Sequence, residues 1–98
     1  MALRVRGDGK RYRFTCRAMP HFHYVLYQAC FDTQAGRWQE HRLGLSDFIP
    51  TFRGRVLNDA PALDLARIAL VGFLITDGQA GPFRLDCVWI MAVLEGAK

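Results

Sequence analysis

Alternation of apolar and basic residues near the start of the chain constrains its fold more than any other feature. In "LRVRGDGKRYRFTCRA" apolar residues occupy every second position around Leu3 and Val5 and again from Tyr12 to Ala18, and mostly arginine lies between them. Side chains of a strand point alternately to opposite faces, so this period of two predicts two half-buried strands. The Asp8-Gly9 pair between them suits a type I′ turn, and we therefore expect a β-hairpin.

The hairpin hypothesis determines where the arginines lie. It places Arg6 opposite Arg11, and Arg4 opposite Arg13, so like charges face each other on one exposed face. Such a face is either screened by solvent or relieved by an acidic protein or an anionic ligand. The net charge of +4 is moderate, so the basicity is local, and we expect no nucleic-acid binding.

Further short apolar runs, separated by turn residues, follow along the chain. We expect strands over residues 24–31, 38–43, 68–76 and 82–94, with turns at "DTQAGR" and "DGQAG". Between residues 58 and 67 the sequence allows at most one helical turn, with Asp64 as a possible cap. The chain of 98 residues is thus predicted to form a single all-β domain over residues 1–98, an antiparallel β-sandwich or barrel.

Three segments in order resemble one protein family. They are "VRGDGKRYRF", "CFDTQAGRWQEHRLGLSDFIPTFRGR" and "LDLARIALVGFLITDGQAGPFRLDCVWI", and together they are similar to the domain of complex I intermediate-associated protein 30. The resemblance implies a galactose-binding-like jelly-roll sandwich and, in eukaryotic members, a role in assembling respiratory complex I. It brings no catalytic residues. The family's domain begins well upstream of the matching part, so we expect a partial sandwich, truncated at its N-terminus.

The stretch "DFIPTFRGR", from Asp47 to Arg55, has two interpretations. In the favoured one, Phe48 and Phe52 anchor a lid over the core, and Pro50 restricts its backbone. In the other, the stretch is the rim of a ligand site, with the guanidinium groups of its two arginines presented to the ligand. Trp38, on the preceding strand, is expected to be buried.

Cysteines and hydropathy indicate a compartment. Cys16, Cys30 and Cys87 are odd in number and form no C-x-x-C pair, so we expect reduced thiols that fill apolar space. The apolar runs are shorter than the roughly 20 residues that span a bilayer. Nothing resembles a secretory signal. These features predict a cytoplasmic protein without membrane insertion.

Residue patterns for metal binding and catalysis are weak. His21 and His23 have the H-x-H spacing of strand ligands, but a zinc site requires three or four ligands held together. Ser46, the one serine, lies outside any G-x-S-x-G elbow. The sequence therefore predicts no metal, no cofactor and no enzymatic activity.

The sequence as a whole favours a non-enzymatic module that binds another protein, and the alternative is a carbohydrate-binding module of galactose-binding-like fold. The candidate binding residues are all arginines: Arg4, Arg6, Arg11, Arg13, Arg53 and Arg55. The closing segment "CVWIMAVL" is apolar on both faces, whereas one sandwich core covers one face. We therefore also expect a homo-oligomer, most simply a two-fold dimer.

Overall fold

A computed structural model describes residues 1–20, 24–75 and 83–92 of the chain. These residues form an antiparallel two-sheet β-sandwich, which confirms the predicted fold class. The strands are β1 (Ala2–Arg6), β2 (Arg11–Ala18), β3 (Leu26–Asp32), β4 (Trp38–Arg42), β5 (Ile49–Phe52), β6 (Arg55–Val56), β7 (Ile68–Leu74) and β8 (Asp86–Met91). The predicted helical turn is a 3-10 turn at Leu65–Arg67, where the Asp64 carboxylate accepts a hydrogen bond from Ala66 N at 3.0 Å.

The strands divide into two sheets. The smaller sheet has the order β4-β1-β8, and the larger has the order β6-β5-β3-β2-β7. The domain measures 36 × 34 × 19 Å, and its smallest dimension suits two sheets packed about 10 Å apart with side chains outside them. The jelly-roll topology remains a prediction of the resemblance.

The core lies between the two sheets and follows the predicted alternation. Leu3 and Val5 of β1 are fully buried, and so are Phe14 and Cys16 of β2. The two layers meet directly where the Phe31 ring of β3 lies 4.9 Å from the His41 ring of β4, centroid to centroid. The arginines between the apolar positions therefore point away from the core on both sheets.

The predicted hairpin between β1 and β2 is wrong. β1 pairs with β4 and β8, whereas β2 pairs with β3 and β7, so consecutive strands lie in different sheets. Gly9 has a φ of 93°, but Asp8 is not in the left-handed region that a type I′ turn requires at both positions. Period two indicates which residues share a face, but it does not indicate which strands pair.

The segment that connects the two sheets is fixed by one carboxylate. Asp8 Oδ1 accepts hydrogen bonds from the Tyr12 hydroxyl at 2.9 Å and from Lys10 N at 3.3 Å, and Oδ2 accepts one from Arg84 N at 2.8 Å. Desolvation opposes ionisation of Asp8, but these hydrogen bonds outweigh it and lower its pKa. Desolvation and the neighbouring Asp8 raise the pKa of Tyr12 to about 12. The contact thus joins the connection to the start of β8.

A two-residue turn with positive φ does occur, between β5 and β6. Arg53 has a φ of 50° and Gly54 a φ of 81°, and the flanking Phe52 pairs with Arg55. Both central residues of the turn are left-handed, as in a type I′ hairpin. The arginine-glycine pair in the stretch "DFIPTFRGR" is therefore the tip of a hairpin.

The lid interpretation of this stretch is correct for one phenylalanine and wrong for the other. Phe48 is 6% exposed, and its ring meets the edge of Phe14 with centroids 6.1 Å apart. Phe52 is 37% exposed, and the Arg53 guanidinium lies over its ring. Phe48 anchors the stretch in the core. Phe52 is the last residue of β5 and is exposed, although the register places it on the same side of the strand as Pro50, which lies opposite the buried Tyr27.

Candidate binding surface

The outer face of the smaller sheet brings arginine and tryptophan together. Arg4 and Arg6 point outward because Leu3 and Val5 point into the core. The register places Arg6 opposite both Trp38 and Asp86, and Arg4 opposite Trp89. Residues opposite each other in an antiparallel pair share a face. We call this surface the Trp38 face, and its members are Arg4, Arg6, Trp38, Asp86 and Trp89.

Arg6 is held between a ring and a carboxylate. Its guanidinium carbon lies 4.9 Å from the Trp38 ring centroid, and its Nη2 donates to Asp86 Oδ2 at 3.0 Å. The hydrogen bond from Arg6 is the main reason that the pKa of Asp86 is lowered, and the charge of Arg84 acts in the same direction. Arg4 also lies over the Trp38 ring, at 5.8 Å. Both guanidinium groups are therefore placed by cation–π contact.

Trp38 was expected to be buried, and that expectation is wrong. Its side chain lies on the outer side of β4 and is 37% exposed. The inner positions of β4 are taken by Gln39 and His41, which are half-buried. The register with β1 decides this orientation, because Trp38 pairs with the outward-pointing Arg6.

The other predicted arginines lie elsewhere. Arg11 and Arg13 are on the outer face of the larger sheet, where Arg11 Nε contacts Asp32 Oδ1 at 2.7 Å and Arg13 Nη1 donates to Gln28 Oε1 at 3.1 Å. The expected single face with all four arginines is therefore wrong, because β1 and β2 belong to opposite layers.

Arg53 and Arg55 belong to the hairpin of β5 and β6, in the larger sheet. Both residues are exposed. The structure therefore groups the six predicted arginines into the pairs Arg4 with Arg6, Arg11 with Arg13, and Arg53 with Arg55.

Sequence reasoning missed two members of the Trp38 face, Asp86 and Trp89. Asp86 and Trp89 are three positions apart, so alternation alone would place them on opposite faces of β8, and the bulge in its pairing with β1 brings both opposite outward-pointing arginines. Their proximity to Arg4 and Arg6 follows from a pairing that spans about 80 residues. No local pattern in the sequence indicates such a pairing.

Cysteine placement confirms the expectation for one of three thiols. Cys16 is fully buried, and desolvation raises its pKa to about 11. Cys30 and Cys87 are exposed, so their predicted burial is wrong. Cys30 lies on the outer side of β3, and Cys87 lies on β8 at the edge of the smaller sheet. All three are free thiols.

In residues 1–20, 24–75 and 83–92, no group of three or more His, Cys, Asp or Glu side chains could hold a metal ion. His21 and His23 lie outside the described residues. Asp47, the neighbour of Ser46, accepts a hydrogen bond from Gly44 N at 2.8 Å and caps a 3-10 turn. Burial lowers the pKa of His41 against the opposing charge of Asp32, and its ring packs on Phe31.

The fold defines a class: an antiparallel two-sheet β-sandwich domain. Comparison with known proteins identifies the family. The chain belongs to the complex I intermediate-associated protein 30 family, whose sequence model matches residues 1–87. The resemblance noted in the sequence is thereby confirmed.

Three curated relatives carry the name "Complex I intermediate-associated protein 30, mitochondrial". The protein from Drosophila melanogaster is 31% identical over 101 residues, which cover 92% of this chain and 32% of the relative. The Mus musculus protein is 34% identical over 92 residues, with coverage of 90% and 28%. The Neurospora crassa protein is 29% identical over 89 residues, with coverage of 90% and 32%. The chain therefore spans about a third of the length of these relatives.

No solved structure matches the chain. The relatives' names contradict the predicted cytoplasmic location, because all three are mitochondrial proteins. The cysteine pattern indicates a reducing compartment, but it does not distinguish one reducing compartment from another. Within the described ranges, the structure contains no helix of the length and apolar character needed to cross a membrane.

Proposed function

We propose that this chain is a non-enzymatic protein-binding domain that acts in mitochondria during assembly of respiratory complex I, and that it binds its partner through the Trp38 face. Family membership supports the assembly role, and the names of the relatives support the compartment. The single observation that carries the binding surface is the exposed Trp38 ring with Arg4 and Arg6 over it.

Tryptophan and arginine are the residues most enriched among those that dominate binding energies at protein interfaces. The Trp38 face presents both types on a rigid sheet, so little side-chain entropy is lost when a partner binds. Charge indicates the partner's chemistry. On and beside this face, the arginines outnumber the acidic residues by four to two. The arginines are Arg4, Arg6, Arg42 and Arg84, and the acidic residues are Glu40 and Asp86. A complementary partner surface is acidic.

The carbohydrate interpretation is less well supported. A pyranose would need an open aromatic face on which to stack, and two guanidinium groups lie over the Trp38 ring. The enzymatic interpretation lacks a nucleophile with an adjacent base among the described residues, since the Asp47 carboxylate next to Ser46 caps a turn. A protein partner would contact Arg4, Arg6 and Trp38 together.

The test of this proposal is affinity capture from solubilised mitochondria with the tagged chain as bait. We expect the parent chain to retain complex I subunits or assembly intermediates, identified by mass spectrometry. Trp38→Ala should reduce their recovery at least tenfold, because truncation of a central interface tryptophan typically costs 2 kcal/mol or more. The melting temperature should change little, since Trp38 is outside the core.

Tyr24→Ala is the matched control, because Tyr24 is an exposed aromatic residue, at 65%, that lies beside β3 of the larger sheet. It should leave recovery unchanged. Capture of complex I components that is equal for the parent and Trp38→Ala would contradict the proposed surface. Capture that contains none of these components would contradict the proposed function.

We further propose that two copies associate through the β7 edge of the larger sheet. Within the described ranges, β7 pairs with β2 alone, and Leu70, Val71 and Leu74 on it are 54%, 40% and 40% exposed. Unpaired edges of this kind favour pairing with a second strand. Light scattering at micromolar concentration should give the mass of a dimer, and Val71→Lys should give a monomer. A monodisperse monomer of the parent chain would refute the proposal.

A further inference from the structure

A cleft on the outer face of the larger sheet lies away from the Trp38 face. It encloses about 330 Å³ beside the hairpin of β5 and β6, and its walls include Arg17, Tyr24, Leu26, Thr51, Phe52 and Arg53. A neighbouring cavity of about 610 Å³ shares Thr51 and Gly54 with it. No function assigned so far uses this cleft.

We propose that the cleft binds a small organic anion, a carboxylate or phosphate group attached to an aromatic or aliphatic body. The described lining residues include two arginines, Arg17 and Arg53, and no acidic residue. Planar guanidinium groups bind carboxylate and phosphate oxygens through paired hydrogen bonds. Leu26, Phe52 and the ring of Tyr24 supply the apolar part of the wall. The size fits a ligand of one ring and one anionic group.

The backbone of Arg53 supports a binding role. Its φ of 50° makes it the one non-glycine residue with positive φ among those described. At this position of a two-residue hairpin turn, asparagine or glycine adopts the left-handed conformation with less strain than arginine. Strained residues of this kind gather at ligand sites. Here the Arg53 guanidinium lies over the Phe52 ring, 5.2 Å from its centroid, and both residues line the cleft.

The floor of the cleft is ordered by hydrogen bonds. The Thr51 hydroxyl donates to Leu26 O at 2.9 Å and accepts from Gln28 Nε2 at 2.9 Å. Gln28 Oε1 in turn accepts from Arg13 Nη1 at 3.1 Å. Thr51 is 8% exposed, so this chain of contacts holds the floor of both cavities in place. Such preorganisation reduces the entropy lost when a ligand binds.

This inference goes beyond the proposed function and stands apart from it. The cleft is on the larger sheet, and the Trp38 face is on the smaller one. A variant at Arg53 should therefore leave capture of complex I components unchanged, and Trp38→Ala should leave anion binding unchanged. Failure of one proposal is thus distinguishable from failure of the other.

The experiment is an NMR titration of the isotope-labelled chain with phenyl phosphate and with phenylacetate, and with benzyl alcohol as the neutral comparison. We expect saturable shifts confined to β3, β5 and the hairpin with at least one of the two anions, which also identifies the preferred anionic group. Benzyl alcohol should bind at least tenfold more weakly. Added salt should weaken anion binding, because the attraction is partly Coulombic.

Arg53→Asn and Arg53→Gly are the decisive variants, because both residues accept the left-handed backbone. Each should raise the melting temperature and weaken anion binding at least tenfold, a combination that a purely structural role of Arg53 does not predict. Arg37→Asn is the matched control: Arg37 is exposed in the turn before β4, where Nη1 donates to Gln34 Oε1 at 3.1 Å, and its loss should leave binding unchanged. Equal binding of benzyl alcohol, unchanged binding by the Arg53 variants, an equal loss in Arg37→Asn, or no binding of either anion would each overturn the proposal.

Discussion

Replacement of Phe48 by alanine is expected to lower the free energy of unfolding by about 3 to 5 kcal/mol, the usual cost of removing a buried phenylalanine ring. Phe48 is 6% exposed, and its ring packs edge-on against Phe14, which is fully buried between the sheets. Since small domains are stable by about 5 to 15 kcal/mol, this is a large fraction of the total. Urea denaturation followed by tryptophan fluorescence measures the change.

Phe52→Ala is the matched control for that measurement. The two phenylalanines lie four positions apart, but Phe52 is 37% exposed and rests against the Arg53 guanidinium. We expect a loss below about 1 kcal/mol, as for surface substitutions away from special contacts. Equal losses of stability in the two variants would contradict both the core anchor at Phe48 and the exposed position of Phe52.

Replacement of Gly7 by alanine should also destabilise the domain strongly. Gly7 is buried, and a Cβ added there would overlap the side chain of Thr33. Thr33 cannot yield easily, because its hydroxyl donates to Lys10 O at 2.7 Å and accepts from Gly9 N at 3.1 Å. Overpacking costs about 1 to 3 kcal/mol, and a lost hydrogen bond adds about 1 kcal/mol. Thermal denaturation should show a clearly lower melting temperature.

Gly72→Ala provides the comparison. Neither Gly7 nor Gly72 has a left-handed φ, so the difference in stability between the two variants depends only on the space available for the added Cβ. A Cβ at Gly72 would lie 3.3 Å from Thr15 Oγ1, a contact that a small shift relieves. We expect a change within about 1 kcal/mol, because strand propensities measured in a host protein span about that range. A Gly7→Ala variant as stable as Gly72→Ala would mean that the connection between β1 and β2 is looser than described.

The fold class could be predicted from the sequence because an alternating pattern of apolar residues is a local signal. From Tyr12 to Ala18 every second side chain is apolar, and all four of these side chains are buried in the structure. The single turn at Asp64 was likewise predictable, because a capping carboxylate acts on a backbone N–H two residues away. Family membership was also readable, since order and spacing of motifs are properties of the chain itself.

The candidate site was only partly predictable. Arg4 and Arg6 were singled out correctly as outward-pointing residues, but the sequence placed them with Arg11 and Arg13 instead of with Trp38. The error came from the turn at Asp8, where a local hairpin signal competed with the pairing of β1 to distant strands. The Asp8 carboxylate binds Arg84 N, 76 residues away, and so joins that turn to the start of β8.

By itself the sequence determined that this chain forms strands, which side chains share a face of each strand, and to which family it belongs. Only the tertiary structure decided which strands are neighbours, and therefore that Trp38 lies outside beneath two arginines and that Arg6 meets Asp86. The physical reason is the separation along the chain over which each effect acts. Alternation acts between residues two positions apart, whereas strand pairing depends on how all the apolar faces of the chain are buried at once.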